Sequence, residues 1–273
     1  MNERLNNYDK NLRVLEIVYY AFIDTIENLN LINFKNLVEL NCKTNVTINF
    51  INLPDSLIKI NCSNNKIKKL EKLSKNIVNL QIDNNPIKYL SFEKYSCYNQ
   101  ILNNLPNTLE YLIFENCSEY NKILDNLPNK LKFLIFNGWY SSFNLPVNNL
   151  PNTLIHLKFG SDFNQPVESL PSSLTYLEFG EEFDQSVEIL PNSINHLIFG
   201  QNFNQLVNNL PNKIKYLEFG YFFSKPVNNL PNSITYLQFG ESFNQPVDNL
   251  PNSITHLIFG GGFNQPIDYL PNS

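Results

Sequence analysis

The chain has 273 residues, 42% of them apolar, which is enough for one sizeable core or one elongated repeat array. Its net charge of −5 argues against a general nucleic-acid or anionic-membrane surface, because such partners are held mainly by Lys and Arg neutralising phosphates. The charge is uneven, with 13 basic against 10 acidic residues up to position 100 and 7 against 15 beyond it, a distribution that a solvated surface explains.

Residues 1–36 read as an N-terminal capping segment with a first strand near residue 12. The opening MNERLNNYDKNLRVLEIVYY lacks the basic start, apolar run and small-residue cleavage site of a signal peptide. No window approaches the roughly 18 consecutive apolar residues of a membrane-spanning helix. Cys42, Cys62, Cys97 and Cys117 fit no C-x-x-C zinc or redox spacing, which points to a reducing compartment and a cytoplasmic location. In that compartment the sequons at Asn45, Asn61 and Asn116 carry no glycan. A single Ala among abundant Asn, Ile, Lys, Phe and Tyr suggests an AT-rich genome.

From residue 37 the chain reads as strands beginning near 37, 57 and 77, followed by 109, 131, 154, 174, 194, 214, 234 and 254, with a further strand near 87–92. Cys42 and Cys62 share one inward position in neighbouring coils and read as two buried thiols. The pair Leu-Pro recurs at 150, 170, 190, 210, 230, 250 and 270, a strict period of twenty. Upstream it falls at 105 and 127, where units of 22 and 23 residues carry insertions at one point, as loops permit. Segment 87–108 aligns with 109–130, so the duplication reaches back to Ile87.

Within a unit, Leu154, Leu157 and Phe159 have the spacing of a short strand with inward side chains. Gly160 reads as a change of chain direction, Phe163, Val167 and Leu170 as further inward positions, and Pro171 as the closing turn. The Asn, Asp or Ser after each Phe, such as Asn164, Asp184 and Ser224, is suited to bonding backbone within its own turn. A single coil buries too little to fold alone, so the Leu, Phe, Val and Pro recur because every coil presents the same faces to its neighbours.

The quartets FNLP (143–146), FNQP (163–166, 243–246 and 263–266) and the variants FDQS, FNQL and FSKP, together with LPNSITYLQFG, resemble the FNIP repeat family, a relative of the leucine-rich repeats. The likeness covers residues 87–273. Ahead of it LIKINCSNNKIKKL (57–70) and IVNLQIDNNPIKYL (77–90) resemble ordinary leucine-rich repeats, with Asn65 and Asn85 at the ladder asparagine. The resemblance divides the chain into the capping segment 1–36, leucine-rich-repeat-like coils over 37–86 and FNIP-type repeats over 87–273. It implies a repeat solenoid, a leucine-rich-repeat-like right-handed coil with one parallel β-sheet on the concave face, about 12–13 coils and little α-helix. It also implies a source among amoebae or giant amoeba viruses. Many members join the repeats to an N-terminal F-box, which implies substrate recognition for ubiquitin ligation; residues 1–36 show neither a Leu-Pro opening nor clear helical periodicity.

Alternation along the strands puts one row of side chains outward: Tyr111, Phe133, His156, Tyr176, His196, Tyr216, Tyr236 and His256. Beside it run Ile113, Ile135, Lys158, Glu178, Ile198, Glu218, Gln238 and Ile258. Amphipathic rings are common interface anchors, and concave solenoid faces are common binding sites, so the first row is the candidate partner-binding site for a protein. Duplication also copies such a row whether or not anything binds it. The simplest reading is therefore a noncatalytic protein–protein interaction module without metal or cofactor, with no nucleic-acid or membrane partner; a structural role through the repeat ends is the alternative. The His residues stand two or three rungs apart, about 10 Å or more at 4.8 Å per rung, whereas zinc holds its ligands roughly 2 Å away. Ser233 and Ser253 read as turn residues, and Lys66, Lys68, Lys69, Lys72 and Lys75 as a solvated face. Residues 254–273 present no polar closing unit, which implies weak self-association or fraying there.

Overall fold

The computed structural model describes residues 11–18, 25–43, 47–268 and 270, so the sequon at Asn45 and parts of the expected capping segment and final coil lie outside the described residues. Sixteen short strands and no helix occur among them, and every strand pairing in the two units is parallel. They belong to two compact units, residues 1–137 and 138–273.

The first unit contains β1 (Val14–Val18), β2 (Thr25–Asn30), β3 (Glu39–Lys43), β4 (Thr47–Ile51), β5 (Lys59–Asn61), β6 (Lys69–Leu73), β7 (Asn79–Gln81), β8 (Tyr89–Phe92), β9 (Tyr111–Phe114) and β10 (Phe133–Phe136). Alternate strands fall on different faces. One sheet runs β1-β3-β5-β7, while β2 pairs with β4, and β6-β8-β9-β10 pair in that order. This corrects the expectation of a single sheet: the strands near 37, 57 and 77 share one sheet, but the strand near 109 pairs with β8 in another. Two strands about ten residues apart share one coil here, so 79–81 and 89–92 lie on two faces of it and the described residues wind through about eleven turns.

Asn65 and Asn85 turn the corner between the two faces. The Asn65 side-chain amide donates to the Cys42 and Cys62 carbonyls, both at 2.8 Å, and to that of Ser63 at 3.1 Å. Asn85 does the same one coil later, donating to Cys62 and Ile82. Both asparagines are buried, and of the carbonyls they satisfy those of Cys62 and Ile82 lie just past the ends of β5 and β7. Cys42 and Cys62 are free and fully buried, and burial together with the neighbouring Cys42 pushes the Cys62 thiol up.

The second unit is more regular. Its strands β11 (His156–Lys158), β12 (Tyr176–Glu178), β13 (His196–Ile198), β14 (Tyr216–Glu218), β15 (Tyr236–Gln238) and β16 (His256–Ile258) pair in chain order at a constant offset of twenty residues. Leu157 and its equivalents point into the core beside two columns of phenylalanine. Phe159 stacks on Phe163 at 3.6 Å, and the same pair recurs in every coil at up to 3.8 Å. The Leu174 N–H donates to the Pro171 carbonyl at 3.1 Å, which closes the coil in the turn that Pro-Ser-Ser or Pro-Asn-Ser was expected to form.

Two details depart from the sequence reading. Glycine is required by close approach between coils rather than by the turn itself, since a Cβ on Gly220 would stand 1.9 Å from the Gly200 carbonyl oxygen. The asparagines after Phe bond across coils, not within their own turns. Asn164 Oδ1 accepts from the Asp184 N–H at 3.1 Å and from Gln185 Nε2 at 2.9 Å. Likewise Ser233 and Ser253 donate at 2.6 Å to the carbonyls of Ile214 and Ile234 in the preceding coil.

Candidate functional site

Strand alternation leaves every second side chain outside the core, and the residues expected on the outer row are there. In the first unit Tyr111 and Phe133 are half-buried and stacked at 4.3 Å. In the second, His156, Tyr176, His196, Tyr216 and Tyr236 are half-buried and His256 is exposed. Their rings form a continuous stack with separations of 3.9, 4.6, 4.0 and 4.3 Å, opening to 6.1 Å at His256. Tyr176 thus lies between His156 and His196, and the three histidines are brought into one column but not to one point.

The second row ties down the tyrosine tips. Tyr176 donates its hydroxyl proton to Glu178 at 2.5 Å, Tyr216 to Glu218 at 2.8 Å, and Tyr236 to Gln238 at 2.8 Å. Lys158 meets the other oxygen of Glu178 at 2.7 Å. Burial and then the bonded carboxylate push the Tyr176 and Tyr216 hydroxyls well above the ordinary tyrosine range, so both remain neutral donors. Burial lowers His156 and His196 below the ordinary imidazole value, against the opposing pull of Glu178 on both. The face therefore combines flat neutral rings with carboxylate and amide acceptors at fixed two-residue offsets.

Two contributors were missed in the sequence. Tyr89 on β8 extends the first unit's stack, 5.7 Å from Tyr111, with the Lys69 ammonium 5.2 Å from its ring centre. The alignment of 87–108 with 109–130 places Tyr89 opposite Tyr111 and was the signal for it. In the second unit Trp139 is 65% exposed, in the longer segment between Phe136 and Phe143. With Lys158, Glu178, Ile198, Gly180 and Gly200 it lines an open cleft of about 290 Å³ along the second row. No group of three or more His, Cys, Asp or Glu among the described residues is placed to hold a metal ion.

Stacked parallel strands, an asparagine ladder in one unit and a glycine and phenylalanine ladder in the other define a leucine-rich-repeat-type solenoid. The chain belongs to the FNIP repeat family, whose model (FNIP Repeat) matches residues 120–162, 142–182, 183–222, 223–249 and 246–273. Among solved structures it is similar to CroV588 from a giant virus, described as a novel circular leucine-rich-repeat protein structure, at 35% identity and a TM-score of 0.61, over 90% of this chain and 44% of that one. The chain thus spans less than half the length of CroV588. YopM from Yersinia enterocolitica WA-314 is 20% identical, with a TM-score of 0.39 over 91% of this chain and 67% of its own. The functional domain of InlJ from Listeria monocytogenes is 14% identical, with a TM-score of 0.44 over 90% and 57%. No functionally curated protein matches the chain. No helix among the described residues is long and apolar enough to cross a membrane.

Proposed function

We propose that the chain is a noncatalytic protein–protein interaction module that engages its partner through the outer row of stacked rings, and that it acts in the cytoplasm as a host-directed adaptor. Repeat folds of this kind commonly serve as interaction scaffolds, because their regular faces present long rows of like positions. The observation that carries the reading is the ring stack from His156 to His256, packed ring on ring while its members stay only partly buried. Rigid amphipathic rings bind at low entropic cost, and the carboxylates Glu178 and Glu218 beside them favour partner donors over acceptors. Likeness to a giant-virus protein supports the host-directed part of the proposal.

The test replaces Tyr176, Tyr216 and Tyr236 together by Ala and compares cross-linked capture from host cytoplasm, with circular dichroism as the control for folding. Loss of the captured proteins with an unchanged spectrum is expected. Capture of the same proteins by the folded triple variant overturns the assignment of the binding face.

A further inference from the structure

An open sheet edge is normally covered, blunted or charged, because its free N–H and carbonyl groups are a template for another strand. The sheet β1-β3-β5-β7 ends at Asn79–Gln81, in the middle of the first unit, while the coil itself continues. Along that sheet each coil hands hydrogen bonds to the next. The Val38 carbonyl accepts from the N–H groups of Ile58 and Lys59 at 2.9 and 3.0 Å, and the Ile58 carbonyl accepts from Val78 and Asn79 at 2.9 and 3.1 Å. The series stops there. By the parallel register with β5, Asn79 and Gln81 direct their backbone groups back at that strand. The N–H groups of Leu80 and Ile82 and the carbonyls of Val78 and Leu80 point the other way, and among the described residues none of the four has a hydrogen-bond partner.

The side chains repeat the message. Leu40 and Ile60 are buried at 0 and 1% exposure, yet Leu80 in the same register is half-exposed. Around it Ile58, Val78 and Ile101 are exposed apolar residues. Together with Asn79 and the flank of Tyr98 they line a cleft of about 450 Å³. The next coil passes this cleft as Gln100–Asn104 without strand structure, and Asn104 turns the chain with a φ of 58°. Its own Leu102 is buried, so that segment serves its own core and leaves the edge of β7 uncovered.

We propose that β7 is a docking edge that takes an extended segment of a partner protein as one further strand. The occupant is fixed by chemistry already present: two N–H donors and two carbonyl acceptors alternating along one edge match a strand backbone, not a helix or a sugar. Its side chain facing the cleft is apolar, because Leu80, Val78 and Ile101 surround that position. Proline is excluded at the pairing residues, since it lacks the N–H that the Val78 and Leu80 carbonyls require. Lys59 is the one charged residue lining the cleft, so the segment is neutral or acidic rather than basic. This surface is separate from the stacked ring row, and the proposal does not rest on that reading.

Single-residue amide hydrogen exchange on the full chain tests it, with Ile60 as the internal reference for a paired strand. The probes are blocked pentapeptides alternating Thr with Val, Ile, Leu or Phe, and matching peptides N-methylated on the amides that face β7. In the free protein Leu80 and Ile82 are expected to exchange at least a hundredfold faster than Ile60, and a binding pentapeptide at millimolar concentration to slow both at least tenfold. Its N-methylated partner is expected to leave them unchanged, and Ile101→Glu, an exposed substitution that spares the core, to abolish the slowing without altering the melting temperature. Slow exchange of Leu80 and Ile82 in the free monomer overturns the proposal, as does indifference of both amides to every peptide. Concentration-dependent dimerisation in light scattering that protects these two amides also overturns it, and assigns the edge to a second copy of the chain.

Discussion

Coils 39–92 need the amide nitrogen of their ladder asparagines as well as the oxygen, whereas coils 154–263 rely on the oxygen. Both must satisfy backbone groups at the corners of the coil, where the strand ladder gives out. In the first unit the amide nitrogen of Asn65 donates to one carbonyl in the preceding coil and one in its own. In the second, the amide oxygen of Asn164 accepts an N–H from the following coil. That difference explains why the second ladder contains a natural Asp184, whose Oδ1 accepts from Asn204 at 2.8 Å and from Gln205 at 3.0 Å. A carboxylate has no proton to give, so the first ladder has no room for one. The two units also differ in how closely their coils approach. Glu115 and Asn137 occupy in the first unit the position that is Gly160 to Gly260 in the second.

The largest effect is expected where coils touch backbone to backbone. Gly220→Ala puts a methyl group 1.9 Å from the Gly200 carbonyl oxygen, with no flexible side chain to give way. We expect about 3 kcal/mol of destabilisation, as for overpacking that forces backbone shifts, whereas Glu115→Ala in the first unit should change little. Urea unfolding of both variants checks this, and equal midpoints would break the distinction between the units.

Next comes the exchange of amide for carboxylate. Asn65→Asp removes a buried donor from two carbonyls at 2.8 Å and sets a negative charge against them, which should cost about 2–3 kcal/mol. Asn204→Asp retains the acceptor that receives the Ser224 N–H at 3.0 Å and should stay within about 0.5 kcal/mol of the parent. Thermal unfolding of the pair tests that difference directly. Comparable losses in both would show that the ladders work by packing, not by donor and acceptor.

The histidines of the ring stack give the second unit a pH dependence that the first unit's Tyr89, Tyr111 and Phe133 lack. Burial favours neutral His156 and His196 in the folded chain, so their folded values lie below the ordinary 6.5. The sign follows from linkage: the contribution is fully present above about pH 6.5 and is lost as pH falls through the depressed values, because the unfolded chain binds those protons first. Hydrogen-exchange protection in coils 154–218, taken relative to the intrinsic amide rate at each pH, should therefore fall below pH 6.5. The double substitution His156→Phe and His196→Phe, which copies Phe133 from the same row, should flatten that response while coils 39–92 are unaffected.

The periodic parts of this architecture were legible because burial repeats with the sequence: Leu157, Phe159, Phe163 and Val167 are buried in register in coil after coil. The outer ring row was legible for the same reason, since alternation fixes which side chains leave the core. What stayed hidden involves partners twenty residues away. A glycine in LQFG looks the same whether it turns the chain or admits a neighbouring carbonyl, and Asn164 looks the same whether its oxygen bonds its own turn or the next coil. The two-faced coils of the first unit were hidden for a different reason. IKKLEKL spaces its apolar residues Ile67, Leu70 and Leu73 three apart rather than two, so it lacks the alternation of a strand, and nothing in LIKIN or in it says that they lie on different faces of one coil. The uncovered edge of β7 follows from that change of coil type between Gln81 and Tyr111, a property of neither repeat alone.

The smallest effect is a gain. Ser224 replaces asparagine in the second ladder, and its hydroxyl lies 3.3 Å from Asn204 Oδ1 in the preceding coil, too short to reach the following one. The Asn244 N–H and the Gln245 side chain, whose equivalents in the next coil donate to Asn244 at 2.8 and 3.1 Å, therefore have no acceptor at this step among the described residues. Ser224→Asn supplies one oxygen to both. A net hydrogen bond contributes about 1 kcal/mol, and the partly exposed site keeps the sum near that figure. We expect the unfolding midpoint to rise and exchange at Asn244 to slow at least fivefold, with no change at Asn65. If exchange at Asn244 is unaltered, the oxygen ladder does not carry the coupling between these coils, and strand pairing with the phenylalanine columns holds them in register.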